Sequence, residues 1–424
     1  VKIKWYRGVP LSVVLIVLSG VFFKKLADRR LQPQGEECCK KNSSGSLSSS
    51  CERGTISREQ DLKTADIGCG AKIRNEIQKE CCETSSCLPP YGACSKFNAH
   101  LDFLFWRADQ DGLEYGTKII AGPIIGSSSK TKTKLLDLHF DWDPGFRVGI
   151  GYLFKHFDYW AVNLDWTHIH NHAHGKSSAQ GIESQVGDIN TIISPWVNLL
   201  FELRVGASKA HAHWNLGYDT LDLVTGRSFG LSNRIALNPY FGFRAGLIDQ
   251  RYRAKYESVF ILAESAPPFK REVVFKGKNV FAGFGLRGGG ELLWSLSRHW
   301  HLFSQLSGNI LYGKFTVHMK NLHDQGLGEG DVPPMPLDFF AKEHFWRVRL
   351  NFEEAIGLGW ERFFRRDRYH LSIRVAYEMS QWLNQNELFY TFYFRGQDTI
   401  SSVPIRSQGD LSFHGVQAGV RFDF

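Results

Sequence analysis

His168, His170, His172 and His174 occupy alternate positions and form the densest group of potential metal ligands in the chain, with His211 and His213 following after a long interval. Alternate residues of an extended chain share a face, so this run has the geometry of a surface Zn, Ni or Cu site. The four continue the parity of Leu164 and Trp166, which are expected to face lipid, while His211 and His213 share the parity of Asn215 and Gly217, expected to face a lumen. The two sets converge only through a bulge or twist, and the competing reading is a polar strand extension. His100 and Asp102 are the nearest approach to a catalytic pair, yet an i, i+2 His and Asp is equally what a polar lumen contains. No G-x-S-x-G lies among the strand-like segments, so no enzyme is predicted. The run from Gly283 to Gly290 has a superficial dinucleotide fingerprint, but it opens no helix and sits inside an alternating segment. No cofactor is therefore expected.

All eight cysteines, Cys38, Cys39, Cys51, Cys69, Cys81, Cys82, Cys87 and Cys94, precede residue 95. Adjacent cysteines such as Cys38 and Cys39 rarely bond each other, which leaves pairing both within the chain and between chains open. No histidine lies between residues 34 and 96 and no C-x-x-C pair occurs there, so zinc is the weaker reading. The segment is rich in Ser, Lys, Glu and Cys and poor in large apolar residues, which makes 34–96 a cysteine-rich periplasmic arm with little core to bury. Before it, Lys2, Lys4 and Arg7 lead into the apolar stretch 9–23, which is short for a membrane-spanning helix. Residues 1–33 read as a secretory signal peptide or an uncleaved anchor. Export in turn explains the cysteines, because disulfides persist in an oxidising envelope compartment.

The elements that must position any site begin after residue 96. The chain has 424 residues with 41 Gly, 32 Phe, 14 Tyr and 12 Trp, and its mean hydropathy of −0.26 excludes a polytopic helical membrane protein. Period-two alternation recurs down the chain: Leu101, Phe103 and Phe105 share one face against His100 and Asp102, and Phe146, Val148 and Ile150 alternate with Arg147 and Gly149. Segments of this kind are as long as a tilted strand needs to cross a bilayer, roughly 9 to 11 residues. Aromatic residues mark their ends, including Trp160, Trp166, Trp294, Trp300, Tyr312, Trp346 and Trp360. Short links (156–158, 227–233, 295–299, 363–368) alternate with long ones (108–143, 169–210, 249–279, 314–344, 384–408).

This pattern predicts an all-β fold, a transmembrane antiparallel β-barrel over residues 97–424 with an even number of strands, ten to twelve. Trp214 to Val224 is the least regular of the ten, and residues 113–139 or 192–205 are candidates for an additional pair. The last strand carries Val416, Ala418, Val420, Phe422 and Phe424 on one parity, so Phe422 and the terminal Phe424 are read as the signal for the barrel-assembly machinery. Pore-lining candidates are Arg147, Asp165, Arg244, Arg287, Glu291, Arg349, Arg374 and Glu378, and Asp219 shares the expected lumen parity. Glu354 falls on the lipid parity and calls for a bulge or a subunit contact. The formal charge of +8 is assigned to loops and turns near anionic lipid, since no nucleic-acid-binding motif accompanies it.

Three stretches, Asp102 to Tyr115 (DFLFWRADQDGLEY), Asp143 to Tyr152 (DPGFRVGIGY) and Trp214 to Arg227 (WNLGYDTLDLVTGR), the last continued by Asn238 to Gln250 (NPYFGFRAGLIDQ), resemble the pore-forming outer membrane proteins of the chlamydial and legionella major outer membrane protein type. The likeness spans residues 97–424 and leaves the cysteine-rich arm outside it. It implies a Gram-negative outer-membrane location and a diffusion porin for small hydrophilic solutes, with a homotrimer among the expected assemblies. The rival expectation is a surface adhesin or interaction barrel with long loops and a plugged lumen. Expected partners are outer-membrane lipid, the barrel-assembly machinery and, through the arm, cysteine-rich envelope proteins; nucleic acid is not among them. If the arm cross-links the envelope, native envelopes whose free thiols are blocked at lysis will show high-mass bands on non-reducing electrophoresis that collapse with reductant. A monomer band without reductant would refute the cross-linking.

Overall fold

Residues that alternate apolar and polar, rich in aromatic and β-branched types, fit a pleated surface whose two faces meet different surroundings. In the computed structural model they do so as ten long strands. The structure describes residues 96–121, 131–154, 159–180, 189–196, 204–263, 266–323, 339–364, 369–395 and 400–424. The signal or anchor, the arm and all eight cysteines lie outside the described residues.

The strands are β1 (Phe97–Gln110), β2 (Trp142–Phe154), β3 (Trp160–Ser178), β4 (Lys209–Gly226), β5 (Ile235–Ala263), β6 (Ala266–Ser295), β7 (Trp300–His323), β8 (Phe339–Phe364), β9 (Tyr369–Trp382) and β10 (Leu411–Asp423). Each pairs antiparallel with its neighbours in sequence, and β10 returns to pair with β1, closing a ten-stranded barrel. At the closing seam the Phe97 N–H donates to the Phe424 carbonyl at 3.0 Å and the Phe424 N–H donates to the Phe97 carbonyl at 2.8 Å. The two rings stack with centroids 6.1 Å apart.

The outer wall carries exposed Leu101, Phe103, Phe243, Phe284, Leu286, Ile310, Val348 and Ile373, a band of apolar side chains aimed away from the barrel. On β7 this band runs from Trp300 to Tyr312, and on β8 the corresponding aromatics are Trp360 and Trp346. Such a band flanked by aromatic rings is what a hydrocarbon layer and its interfaces select. Glu354 sits on this outer face with no bulge, in register with Leu306 and Met379, and is only 9% exposed.

Three sequence expectations need correction. Among the described residues, 113–139 and 192–205 add no barrel strands. Gly116–Ala121, Thr131–Leu136 and Ile189–Ile193 form a separate three-stranded sheet, and Arg204–Gly206 is a short piece hydrogen-bonded beside the far end of β5. The expected long loop 249–279 is mostly strand: β5 has 29 residues and β6 has 30, a hairpin roughly 95 Å long at ordinary strand rise. Its far part continues the alternation with the faces exchanged. Tyr252, Ala254, Tyr256, Val273 and Phe275 are buried inside, whereas Arg251 and Arg253 are exposed outside. β4, expected to be irregular, runs unbroken for 18 residues in register with both neighbours.

Glycine allows one close approach that the barrel wall requires. Gly283 on β6 and Gly313 on β7 are partners in register, and a Cβ on either would lie 2.5 Å from the ring of Phe281, which lies over them. Because Phe424 supplies the last backbone pair of the seam, deleting it is expected to leave export intact and to lower the yield of heat-modifiable, folded barrel in the outer membrane. An undiminished folded band on unheated gels would show that the seam closes without it.

Candidate functional site: the charged lumen

Strand parity sends Arg244, Arg287, Glu353, Asn309 and Asn351 to the inside of the wall at one level. Arg244 grips Asp222 with two parallel bonds, Nε to Oδ1 and Nη2 to Oδ2, both 2.6 Å, and donates to Asn351 Oδ1 at 2.7 Å. It also donates to Glu353 through a short contact. Arg287 donates to the other Glu353 oxygen at 2.6 Å and to Asn309 at 3.0 Å. Arg147 reaches Glu378 at 2.9 Å, and Arg374 reaches Glu291 at 2.6 Å with Asn238 donating to the same carboxylate. These side chains come from strands up to three positions apart around the barrel, as in Arg244 to Glu353, Arg147 to Glu378 and Arg374 to Glu291, so the ionic layer ties together parts of the wall that are not hydrogen-bonded neighbours. A fork-shaped guanidinium suits this role because it holds two acceptors in fixed directions.

On the long-loop side of the ionic layer the lumen is filled by rings. Tyr218, Trp382, Phe281, Phe315, Phe413 and Trp106 are each at most 2% exposed, with Tyr218 and Phe413 4.7 Å apart and Phe281 and Phe315 4.8 Å apart. Above them, the segment that leaves β9 folds inward. Asn384 and Gln408 both take left-handed backbone (φ 53° and 49°) where it departs and returns, and Asp410 clamps its base by accepting from the Asn384 N–H at 2.7 Å. Gln385, Asn386 and Glu387 are fully buried. Glu387 meets three arginines: Arg347 at 3.1 Å, Arg406 at 3.4 Å, and Arg349 through a short contact. Trp196 packs on Phe275, Tyr252 and Tyr390, and donates from its indole to the Glu114 carbonyl at 2.8 Å. In this extramembrane cap, burial and then the nearby Glu114 charge push the Tyr390 phenol up to about 12.

On the short-turn side the lumen opens into a cavity of about 220 Å³ whose lining includes His100, Asp165, Arg287, Glu291, Arg374 and Arg421. His100 contacts Asp165 at 3.1 Å. At its rim His370 bridges Asp423 (2.6 Å) and Glu361 (3.3 Å).

The family model described as the Legionella pneumophila major outer membrane protein precursor matches residues 90–424. The chain belongs to this family. It is a protein of the Gram-negative outer membrane. Among solved structures it is similar to the outer membrane protease OmpT from Escherichia coli, at 12% identity and TM-score 0.34, covering 81% of this chain and 100% of that one. It is also similar to the outer membrane protein OprG from Pseudomonas aeruginosa, at 11% identity and TM-score 0.20, covering 77% and 98%. A third is the CymD monoaromatic hydrocarbon channel, at 9% identity and TM-score 0.27, covering 79% and 91%. No curated protein sequence gives a significant match.

In this member of the Legionella major outer membrane protein family, all eight residues read from the sequence as pore-lining are on the inner face. Arg147, Arg244, Arg287, Glu291, Arg374 and Glu378 are in the ionic layer, Asp165 is in the cavity, and Arg349 binds the cap. Asp219 is not: it lies on the outer face, where His168 contacts it at 2.7 Å. His211 and His213 also share the outer face with His168 to His174, and His213 is the register partner of His174, so no bulge is needed. The parity expected for them assumed polar residues inside. At this height the inside is Trp214, Leu216 and Tyr218. His172 is held by Asp143 and His174 by Asp141, and among the described residues no three potential metal ligands gather. Sequence reasoning missed Asp222 and Glu387. Asp222 alternates with Leu221 and Leu223 and was legible once Asp219 was placed outside; Glu387 lies in an irregular segment that no period marks.

Glu353 neutralises two buried guanidinium groups at once. Glu353→Ala leaves both with one fewer carboxylate and is expected to destabilise the barrel by about 3–5 kcal/mol, the usual cost of breaking a buried pair from one side. Urea unfolding of the refolded protein in detergent measures it, and an unchanged midpoint would show that the layer does not hold the wall.

Proposed function

We propose that the barrel is a narrow channel for small hydrophilic solutes that is closed at rest and opens when the cap and the aromatic layer rearrange. The observation that carries this reading is the ionic layer itself. Buried ion pairs add little stability over apolar packing of the same volume, so a lumen kept only for rigidity gains little from crossing arginines and carboxylates. A hydrated path for polar solutes uses them directly, and the cavity lined by His100, Asp165, Glu291 and Arg374 is a vestibule for such solutes. Ten strands enclose a lumen little wider than side chains fill. That favours a selective passage over a wide aqueous pore. No covalent chemistry is part of the function.

The cap is the proposed gate. Glu387 offsets three arginines, while Gln385 is buried with neither side-chain atom bonded to a described residue. A seat that desolvates an amide without a partner is weakly held. The second reading, an interaction barrel whose loops bind surface partners, is favoured by the ring layer from Trp106 to Trp382, which fills the lumen independently of the cap. Planar-bilayer recording of the purified full chain distinguishes them. Small, infrequent openings are expected for the wild type, with open probability raised at least tenfold by Glu387→Ala combined with Trp382→Ala. If neither the wild type nor the double variant conducts, the interaction barrel is the correct reading; if the wild type is steadily open at high conductance, the resting closure is wrong.

A further inference from the structure

On the outer wall, just beyond the apolar band on the long-loop side, basic side chains are stacked against each other across four adjacent strands. Arg253 on β5 is the register partner of Lys276 on β6, which is the partner of Lys320 on β7. One step nearer the bilayer, Arg251 opposes Lys278, Lys278 opposes His318, and His318 opposes Lys342 on β8. Like charges directly opposite one another in a sheet are destabilising. Asp249 relieves two of them, contacting Arg251 at 3.0 Å and Lys278 at 3.6 Å. Among the described residues, Arg253, Lys276, Lys320 and Lys342 have no acidic partner. The ring of His318 is held below its ordinary pKa by burial and then by the positive charges of Lys342, His344 and Lys278. The patch lines an open depression of about 820 Å³.

What lies beneath the patch identifies the ligand. Leu247, Phe284, Tyr312 and Trp346, on these same four strands, are 46–59% exposed on the lipid-facing wall. From Leu247 to Arg251 is roughly 13 Å along the strand, so an amphiphile whose acyl chains lie on the apolar wall brings its headgroup to the basic rows. We propose that this face is a binding site for a phosphorylated glycolipid of the outer leaflet, its phosphates held by Arg253, Lys276, Lys320 and Lys342 and its acyl chains by the wall below. The site is on the outside of the barrel and is independent of whether the lumen conducts. The charge repulsion built into the sheet is offset when the lipid is bound.

The test uses the full chain folded in detergent and native mass spectrometry with three probes: lipid A bearing both phosphates, the same lipid with the phosphates removed, and inorganic pyrophosphate. Binding of the bisphosphorylated lipid is expected to weaken at least tenfold in the Lys276→Glu/Lys320→Glu variant. It should be unchanged in Arg362→Glu, which lies at the opposite rim. The dephosphorylated lipid should bind the wild type at least tenfold more weakly and fail to distinguish the variants. Pyrophosphate at equal concentration should not displace the lipid. Equal lipid binding by wild type and double variant would overturn the proposal, as would indifference to the phosphates. Displacement by equimolar pyrophosphate would assign the patch to free anions instead. Heat-modifiability establishes that each variant is folded, and the milder Lys276→Gln/Lys320→Gln pair replaces the charge reversal if that one is not.

Discussion

Within a hydrocarbon layer no water is available to the backbone, so every N–H and C=O must find its partner in the protein. A sheet meets this condition only when its first and last strands pair. Here the whole structure depends on β1 and β10, more than 300 residues apart, meeting in register from Asn98 with Asp423 to Gln110 with Leu411. Once that seam closes, alternate side chains have no choice of surroundings: one set faces lipid and the other shares a confined interior. The charged layer follows from this confinement. Arg244 is buried and Arg147 half-buried inside the barrel, and each finds carboxylates projecting from other parts of the wall.

The same closure explains why the interior is stratified. The strands continue beyond the bilayer on the long-loop side, and there the outer face meets water. Apolar residues then belong inside, and Tyr252, Phe275 and Met319 join Trp196, Leu388 and Phe389 in one contiguous cluster. The cap is thus held by a hydrophobic core of ordinary globular kind, built inside the mouth of a membrane barrel. Its polar residues have to enter that core along with it, which is why Glu387 is buried at the centre of three arginines.

The reversal of faces also marks where the sequence was legible. Period two found the ten strands, and a single rule, apolar outward, placed Phe243, Leu286 and Ile373 on the lipid side and Arg244, Arg287 and Arg374 inside. The rule holds only at bilayer depth. At His213 and Asp219 the surroundings have already changed, and a lipid-depth assumption gives each the wrong face although the alternation itself is unbroken. The far part of the β5–β6 hairpin reads as loop in the sequence for the same reason. Its outward Arg251, Arg253, Lys276 and Lys278 read as polar linker when only apolar outward residues count as strand. Asp222 and Glu387 were missed because contacts across a lumen are not periodic in sequence.

Depth along the strand therefore carries as much information as parity. At the lowest level, beside the short turns, polar groups inside surround a cavity and aromatic rings outside meet the interface. At mid-depth, ion pairs cross the lumen while Leu and Phe cover the wall. Higher up, the rings move inside and the charges move outside, and on β5 to β8 the outward charges beside the apolar band are mostly positive, with Asp249 the acidic exception. A reversal of faces alone requires polarity outside the membrane, which neutral or mixed residues satisfy equally well. The histidine-bearing part of β3 and β4 illustrates this, since three of its outward imidazoles, His168, His172 and His174, are met by Asp219, Asp143 and Asp141. Uncompensated lysines and arginines facing one another on adjacent strands exceed that requirement, and their height beside the lipid wall points to a counter-charge carried by the membrane rather than by the protein.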